Sequence, residues 1–462
     1  MERPDDRNAS RLLRYALYLL LTAAFLTGGS SQIAGLDDTF VQLLALPVLA
    51  AALWLLARQP ASMLRNLALG AAALIALVPL VQLLPLPARI WQLPEARQLL
   101  ARDIAVLGTV PDLHWSLDTS ATRQALWFLL PPMAAFCATL TLGTDSHGRL
   151  LRLVMLLALS SLLLGFVQLG VPQESLLNPF PQLTARLNGI FANQNHQSIS
   201  LVVAMVIALV GMFGSLPHVH EGRRQAWAPW ALGFAAILAL CALPLTGSRA
   251  AVLIAVFAVA AVPLSMGFFG RRRLREGRWA RAGLVACLAL IGLGVWGTVG
   301  WMQVDAVDEL RAPLRAATFA LGNEHVPLGT GVGAFVPAFE QAIPDALLLP
   351  NYVNHAHNEY LQWWMEAGWL GVLVMALALA VLVAASVAAF RSGRQGSLPA
   401  IASVLGLAAL LLHSWVDYPL RTGSLATVAG LLAGVVVARA ASPRSRSRST
   451  PVGEFRDGRH TS

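Results

Sequence analysis

Apolar residues recur in long runs from one end of the chain to the other, broken by short polar connections. Runs long enough to cross a bilayer fall at about 12–29, 40–57, 66–85, 122–142, 150–170, 197–215, 228–245, 250–269, 282–301, 368–390, 399–416 and 422–440. A helix needs about 20 apolar residues to span the hydrocarbon layer. The pattern therefore predicts an all-α, polytopic membrane protein with about 12 transmembrane helices. The run at 66–85 is the least regular, ending in Leu84-Pro85-Leu86-Pro87. The first run follows an Arg-rich start and shows no clear small-residue cleavage site, so it reads as an uncleaved span rather than a signal peptide. No internal repeat is visible.

The polar connections fix an expected orientation. Arginines gather in alternate connections, among them Arg58 and Arg65, Arg149 and Arg152, Arg223 and Arg224, the run from Arg271 to Arg281, and Arg391 and Arg394. Basic residues collect on the cytoplasmic side. Both termini are then cytoplasmic, which an even number of spans allows. The periplasmic side receives two long connections, at about 86–121 and 302–357, a medium one at 171–196, and tight turns at Thr246–Arg249 and Asp417–Arg421. Residues 1–441 form the membrane domain, with 302–357 as its large periplasmic loop region. The Ser/Arg-rich stretch 442–462 reads as a disordered cytoplasmic tail resting on anionic headgroups.

Composition agrees. Of the 462 residues, 56% are hydrophobic and 12% charged, against about 25% charged in soluble domains. The net charge of +9 is carried by arginine alone. A basic membrane protein explains it without nucleic-acid binding. Cys137, Cys241 and Cys287 each lie in an apolar run and fit no zinc spacing, so all three read as small core residues. The outer connections also lack an acidic cluster suited to Mg²⁺, and neither a metal nor a cofactor is expected.

Arginines on the outer side run against the orientation rule and invite a reason. They are Arg186, Arg249, Arg311, Arg315 and Arg421. Arg249 sits in Thr246-Gly247-Ser248-Arg249, between two apolar runs with no room for a loop. A guanidinium at that depth is costly unless it meets an anion or a water-filled cavity, and its planar fork suits phosphate oxygens. The alternative is an arginine that snorkels to headgroups. Arg311 and Arg315 stand four apart and would share a helical face, but Pro313 between them argues against one continuous helix. Asp308 and Glu309 are candidate partners for them.

The segment His355-Ala356-His357-Asn358-Glu359-Tyr360 is the richest in chemistry. Asn358 can cap a helix starting at Glu359. His357 then stands just outside the helix mouth, where the dipole favours a neutral imidazole. Such a histidine can accept a proton or merely satisfy a loop carbonyl. Gly329-Thr330-Gly331-Val332-Gly333 looks like a phosphate loop without its strand-then-helix context, and reads as a tight turn. Asp417 could orient His413 or pair with Arg421, the latter being the plainer reading.

Together these pieces resemble the bacterial O-antigen ligase and polymerase superfamily, over most of the chain and most strongly from Arg186 to Arg421. His357-Asn358, followed by nine residues, Gly368 and, three later, Gly371, is similar to the ligase signature. Arg249 with Leu253 resembles its Arg-x-x-x-Leu. Arg186-Leu-Asn-Gly-Ile-Phe-Ala-Asn-Gln-Asn resembles its Arg…Gly-x-Phe-x-Asn-x-Asn segment. Arg311 with Pro327-Leu328-Gly329 resembles the Arg…Pro-Leu-x-Gly of its large loop. An aromatic often follows the loop arginine by four residues in the family, where this chain has Arg315, so either Arg311 or Arg315 is the equivalent.

The resemblance implies a metal-independent glycosyltransferase of the bacterial inner membrane, with its site at the periplasmic face. The donor would be a glycan on undecaprenyl diphosphate. The acceptor would be a hydroxyl of lipid A–core for a ligase, of another glycan for a polymerase, or of a protein for a protein-glycosylating relative. His357, Arg249 and Arg311 are the expected catalytic residues, and Arg186, Arg315, His355 and Asn358 the expected substrate-binding ones. A transporter or flippase for a lipid-linked glycan would instead need ionisable residues deep within several spans, and the mid-span positions are nearly bare of charge.

Overall fold

The computed structural model describes residues 4–31, 36–106, 108, 113–180, 187–219, 227–266, 306–342, 353–391 and 398–441. The described residues form helices and no strand; one isolated bridge joins Pro85 and His114. In chain order the helices are α1 (Pro4–Thr27), α2 (Leu36–Leu56), α3 (Met63–Gln82), α4 (Ala88–Trp91), α5 (Glu95–Val106), α6 (Thr119–Phe128), α7 (Leu130–Thr141) and α8 (Thr144–Gln168). They continue as α9 (Gln194–Val219), α10 (Ala228–Thr246), α11 (Arg249–Ser265), α12 (Ala306–Glu324), α13 (Phe335–Ala342), α14 (Glu359–Arg391), α15 (Leu398–His413) and α16 (Gly423–Ala441).

Among the described residues, nine stretches are long and apolar enough to cross a membrane, and α11 and α15 are shorter apolar helices. Eleven of the runs read from the sequence thus coincide with apolar helices. The run at 282–301 lies outside the described residues, as do Cys287, Arg186, the Arg271–Arg281 connection and the tail 442–462.

Helix α9 is the hub. It packs against α8, α10, α11 and α15. Seven consecutive residues, Val202 to Ala208, are buried, so every face of this stretch meets protein. That follows from its sequence, which is apolar all round. The rim differs: Leu373, Phe234, Leu163 and Leu43 expose large apolar surface outward. Lipid is the solvent that such a surface suits. Cys137 is buried, but Cys241 is exposed on this outer apolar surface of α10, so the expectation of a core position fails there. Position within an apolar run does not say which side of a helix faces protein.

Two features fix helix ends near the residues singled out above. Gly247, at φ +81°, closes α10 with its N–H on the Pro244 carbonyl, and α11 begins at once with Ser248 as its N-cap. A left-handed residue here needs glycine. The second feature is an interlock between α14 and the Gly329–Gly333 loop. Helix α14 breaks its helical geometry at Gly368 (φ +57°, ψ −151°). A Cβ there would lie 2.3 Å from the Pro327 carbonyl oxygen. The freed groups are taken up across the gap: Thr330 N–H donates to the Met365 carbonyl and Gly331 N–H to that of Glu366. Gln82 of α3 bridges both sides, donating to the Glu366 carbonyl and accepting from Val332 N–H. Fully buried Arg97 of α5 donates to the Trp115 and Gly329 carbonyls, and burial pushes its pKa down to about 10.

The loop that looked like a phosphate cradle is therefore a structural turn. Its N–H groups at Gly329, Thr330, Gly331 and Val332 already have acceptors within the protein.

Candidate active site

The segment before α14 delivers His357. Asn358 caps the helix as its sequence position predicts, accepting from Leu361 N–H at 3.0 Å, and its side-chain N–H donates to the Trp415 carbonyl. Both ends of the Asn358 amide thus serve the fold. His357, one residue earlier, adopts φ +49°, a conformation uncommon outside glycine. The backbone there is held by the cap behind it and by the Ala356 N–H, which donates to Gln362. The turn aims the ring at the short connection between α15 and α16.

That connection carries Asp417. His357 Nδ1 lies 3.4 Å from Asp417 Oδ1, with the carboxylate 1% exposed and the imidazole 23% exposed. Tyr418 N–H donates to the same oxygen at 2.9 Å, and the Asn195 amide donates to the other. Burial alone would raise the Asp417 carboxyl. The close His357 imidazole, with the charges of His196 and His413, outweighs burial and holds it well below the usual carboxylate range. Asp417 therefore stays a buried anion behind a partly exposed imidazole.

Around this pair the protein packs a ring cluster. Tyr418 is touched by His357 at 4.9 Å, His196 at 4.9 Å and His355 at 4.3 Å between ring centroids. The Tyr418 hydroxyl meets Asn193 and Asn354, and burial pushes its pKa up to about 12. His355 is buried, with Nδ1 against the Gln362 amide, and burial followed by the charge of Arg421 holds it well below the ordinary histidine value. Of the expected substrate-binding residues, His355 thus faces inward and Asn358 is engaged in capping.

The arginines fall in different places. Arg421 does not pair with Asp417. It forms a two-pronged contact with buried Glu366 of α14, at 2.8 and 3.3 Å. Burial works against its charge, but the Glu366 carboxylate outweighs this and raises its pKa. Chain proximity favoured Asp417, yet the α14 kink puts Glu366 closer. Glu366 is held in turn by Gln362, and Glu359 accepts from Leu420 N–H. Arg311 and Arg315 lie on the single helix α12, which continues through Pro313, so the expected break does not occur. They stand one turn apart, and Arg311 comes near enough to His413 for their charges to interact. Arg249 opens α11, half-buried, just after the turn where Thr246 accepts a hydrogen bond from Ser198 of α9. Arg186 lies outside the described residues.

His357, His355, Asp417 and Arg311 thus gather around the start of α14 and the α15–α16 turn. Sequence reasoning missed Asn193, Asn195, His196 and Tyr418 as members of this cluster. The run Asn193-Gln194-Asn195-His196, four polar residues opening an apolar helix, was the available signal. Asn193 caps α9 by accepting from Asn195 N–H, which turns Asn195 and His196 towards Asp417. Among the described residues no group of three or more His, Cys, Asp or Glu side chains could hold a metal ion.

Comparison with known families now bears on this geometry. Residues 234–376, from within α10 to within α14, match the O-antigen ligase family. The match supports the O-antigen ligase and polymerase superfamily. It spans Arg249, Arg311, Arg315, His355, His357, Asn358, Gly368 and Gly371. It stops short of Asp417, and it begins after Asn195 and His196. No curated protein matches the sequence. The family of ligases and polymerases supports an enzyme role on lipid-linked glycans in a membrane setting.

Proposed function

We propose that this O-antigen ligase-type protein is a glycosyltransferase of the bacterial inner membrane, moving a glycan from undecaprenyl diphosphate to an acceptor hydroxyl at the periplasmic face. The observation that carries the reading is the His357–Asp417 pair: a partly exposed imidazole backed at 3.4 Å by a buried carboxylate. A carboxylate at Nδ1 selects the tautomer with its proton there and leaves Nε2 as the acceptor. That is the arrangement of a general base with an orienting partner.

In this mechanism the acceptor oxygen attacks C1 of the donor sugar from the face opposite the diphosphate. The O–C1 bond forms, the C1–O bond to phosphate breaks, and the anomeric centre inverts. The hydroxyl proton passes to His357 Nε2, and Asp417 stabilises the imidazolium. Arg249 and Arg311 bind the diphosphate and offset the charge that grows as it leaves, the role a metal ion often fills. Arg186 and Arg315 extend the same grip. His355 and Asn358 act from behind, fixing Tyr418 and the His357 turn. The acceptor is taken as lipid A–core; another glycan or a protein hydroxyl would suit the same chemistry.

The test is replacement of the gene by H357A in its native host, followed by analysis of surface glycans. The expected result is a normally inserted protein with no transfer and accumulated lipid-linked donor. Long free chains on the carrier identify a ligase, single repeat units a polymerase, and unglycosylated protein the third type. Undiminished transfer removes His357 from the mechanism.

A further inference from the structure

His196 is a buried imidazole that the mechanism above leaves without work. It sits in the first turn of α9, 1% exposed, and neither ring nitrogen has a hydrogen-bond partner among the described residues. Leaving such a group unsatisfied in an apolar helix is costly. Packing does not require it, because the edge contact on Tyr418 could be made by any aromatic ring. Its Nε2, however, lies 3.9 Å from Asp417 Oδ1, the same oxygen that faces His357. A neutral imidazole keeps one N–H, and a carboxylate in front of Nε2 draws it to that nitrogen.

We propose that His196 is a positioning residue that acts through Asp417, its Nε2–H steadying the carboxylate and thereby governing how readily His357 takes up a proton. The inference rests on the reading of His357 as the proton acceptor. Each donor aimed at Asp417 weakens the pull of that carboxylate on the His357 proton. Two are in place already, Asn195 and the Tyr418 N–H; His196, 3.9 Å away and not hydrogen-bonded, is the next nearest and needs only a small shift to donate. The other titratable and charged groups around the pair are His355 from the same segment as His357, His413 at the end of α15, and Arg311 from α12. Arg421 is held by Glu366, with Glu359 close by. What marks His196 among them is distance: its Nε2 lies within 4 Å of Asp417 Oδ1, as does Nδ1 of His357 itself.

The experiment needs no glycan substrate. Full-length protein in detergent micelles is treated with diethyl pyrocarbonate, which modifies neutral imidazole, from about pH 5 to 8.5. The rate at His357 is read by peptide mass spectrometry; its 23% exposure separates it from buried His196 and His413. With H196F the midpoint of the His357 profile should rise by about half a pH unit, a roughly threefold slower reaction on the acid side. H196Q keeps an N–H in reach of the carboxylate and should restore the wild-type midpoint. A midpoint unmoved by H196F, or moved equally by H196Q, overturns the proposal. If the Phe variant does not accumulate folded, H196M replaces it in the same comparison. Because transfer is not measured, failure here leaves the proposed function standing, and loss of that function leaves this result intact.

Discussion

Replacing Asp417 by Asn isolates the charge behind the candidate base. The change removes one negative charge and leaves the shape nearly untouched. Its cost to the fold is small, because Asn195 can turn its amide over and accept from the new Asn instead of donating to the carboxylate. Its cost to catalysis follows from the 3.4 Å separation between Asp417 Oδ1 and His357 Nδ1. Two unit charges at that distance attract by about 5 kcal/mol at an effective dielectric of about 20. The partly exposed His357 ring loses some of this to solvent, leaving about 3 kcal/mol for the imidazolium that forms during transfer. The rate should therefore fall about a hundredfold. The assay is pulse-labelled sugar incorporation into surface glycan, in a native host carrying D417N at normal protein level. Transfer at the wild-type rate, with the variant at normal protein level, would refute the orienting role.

Three further outcomes follow. R249K should keep the fold but lower transfer at least tenfold, since a point charge cannot reproduce a two-pronged grip on phosphate; the same incorporation assay measures it. G368A places a Cβ 2.3 Å from the Pro327 oxygen at φ +57°, so detergent-solubilised protein should melt at clearly lower temperature or fail to accumulate, a cost of several kcal/mol. E366Q leaves Arg421 buried without its carboxylate, and thermal unfolding should show a loss of about 3–5 kcal/mol.

Much of the architecture was legible in the sequence because lipid imposes a coarse rule: each span must be long and apolar. The Asn358 cap and the Gly247 turn were legible for a different reason, since both are local chemistry between residues a few positions apart. What could not be read was pairing across distance. Asn195 and Asp417 are 222 positions apart and meet only because α9 packs on α15 and the turn beyond it. Arg421 was drawn towards its sequence neighbour Asp417, but a helix kink fixed by Gly368 supplied Glu366 instead. Pro313 was read as a break, yet α12 runs through it, packed along α14. His357 and the loop arginines were singled out through their resemblance to a family's spacing; Asn195, His196 and Tyr418, which pack around the histidine and Asp417, were not.

The contributors to the Asp417 cluster enter the bilayer in a fixed order during synthesis: the α9 turn first, the His357 segment much later, the Asp417 hairpin last. Until that final hairpin seats, the imidazole has no carboxylate behind it and the Asn195 amide lacks its acceptor. The cluster is thus complete only once the chain has been made as far as the turn between its last two described helices.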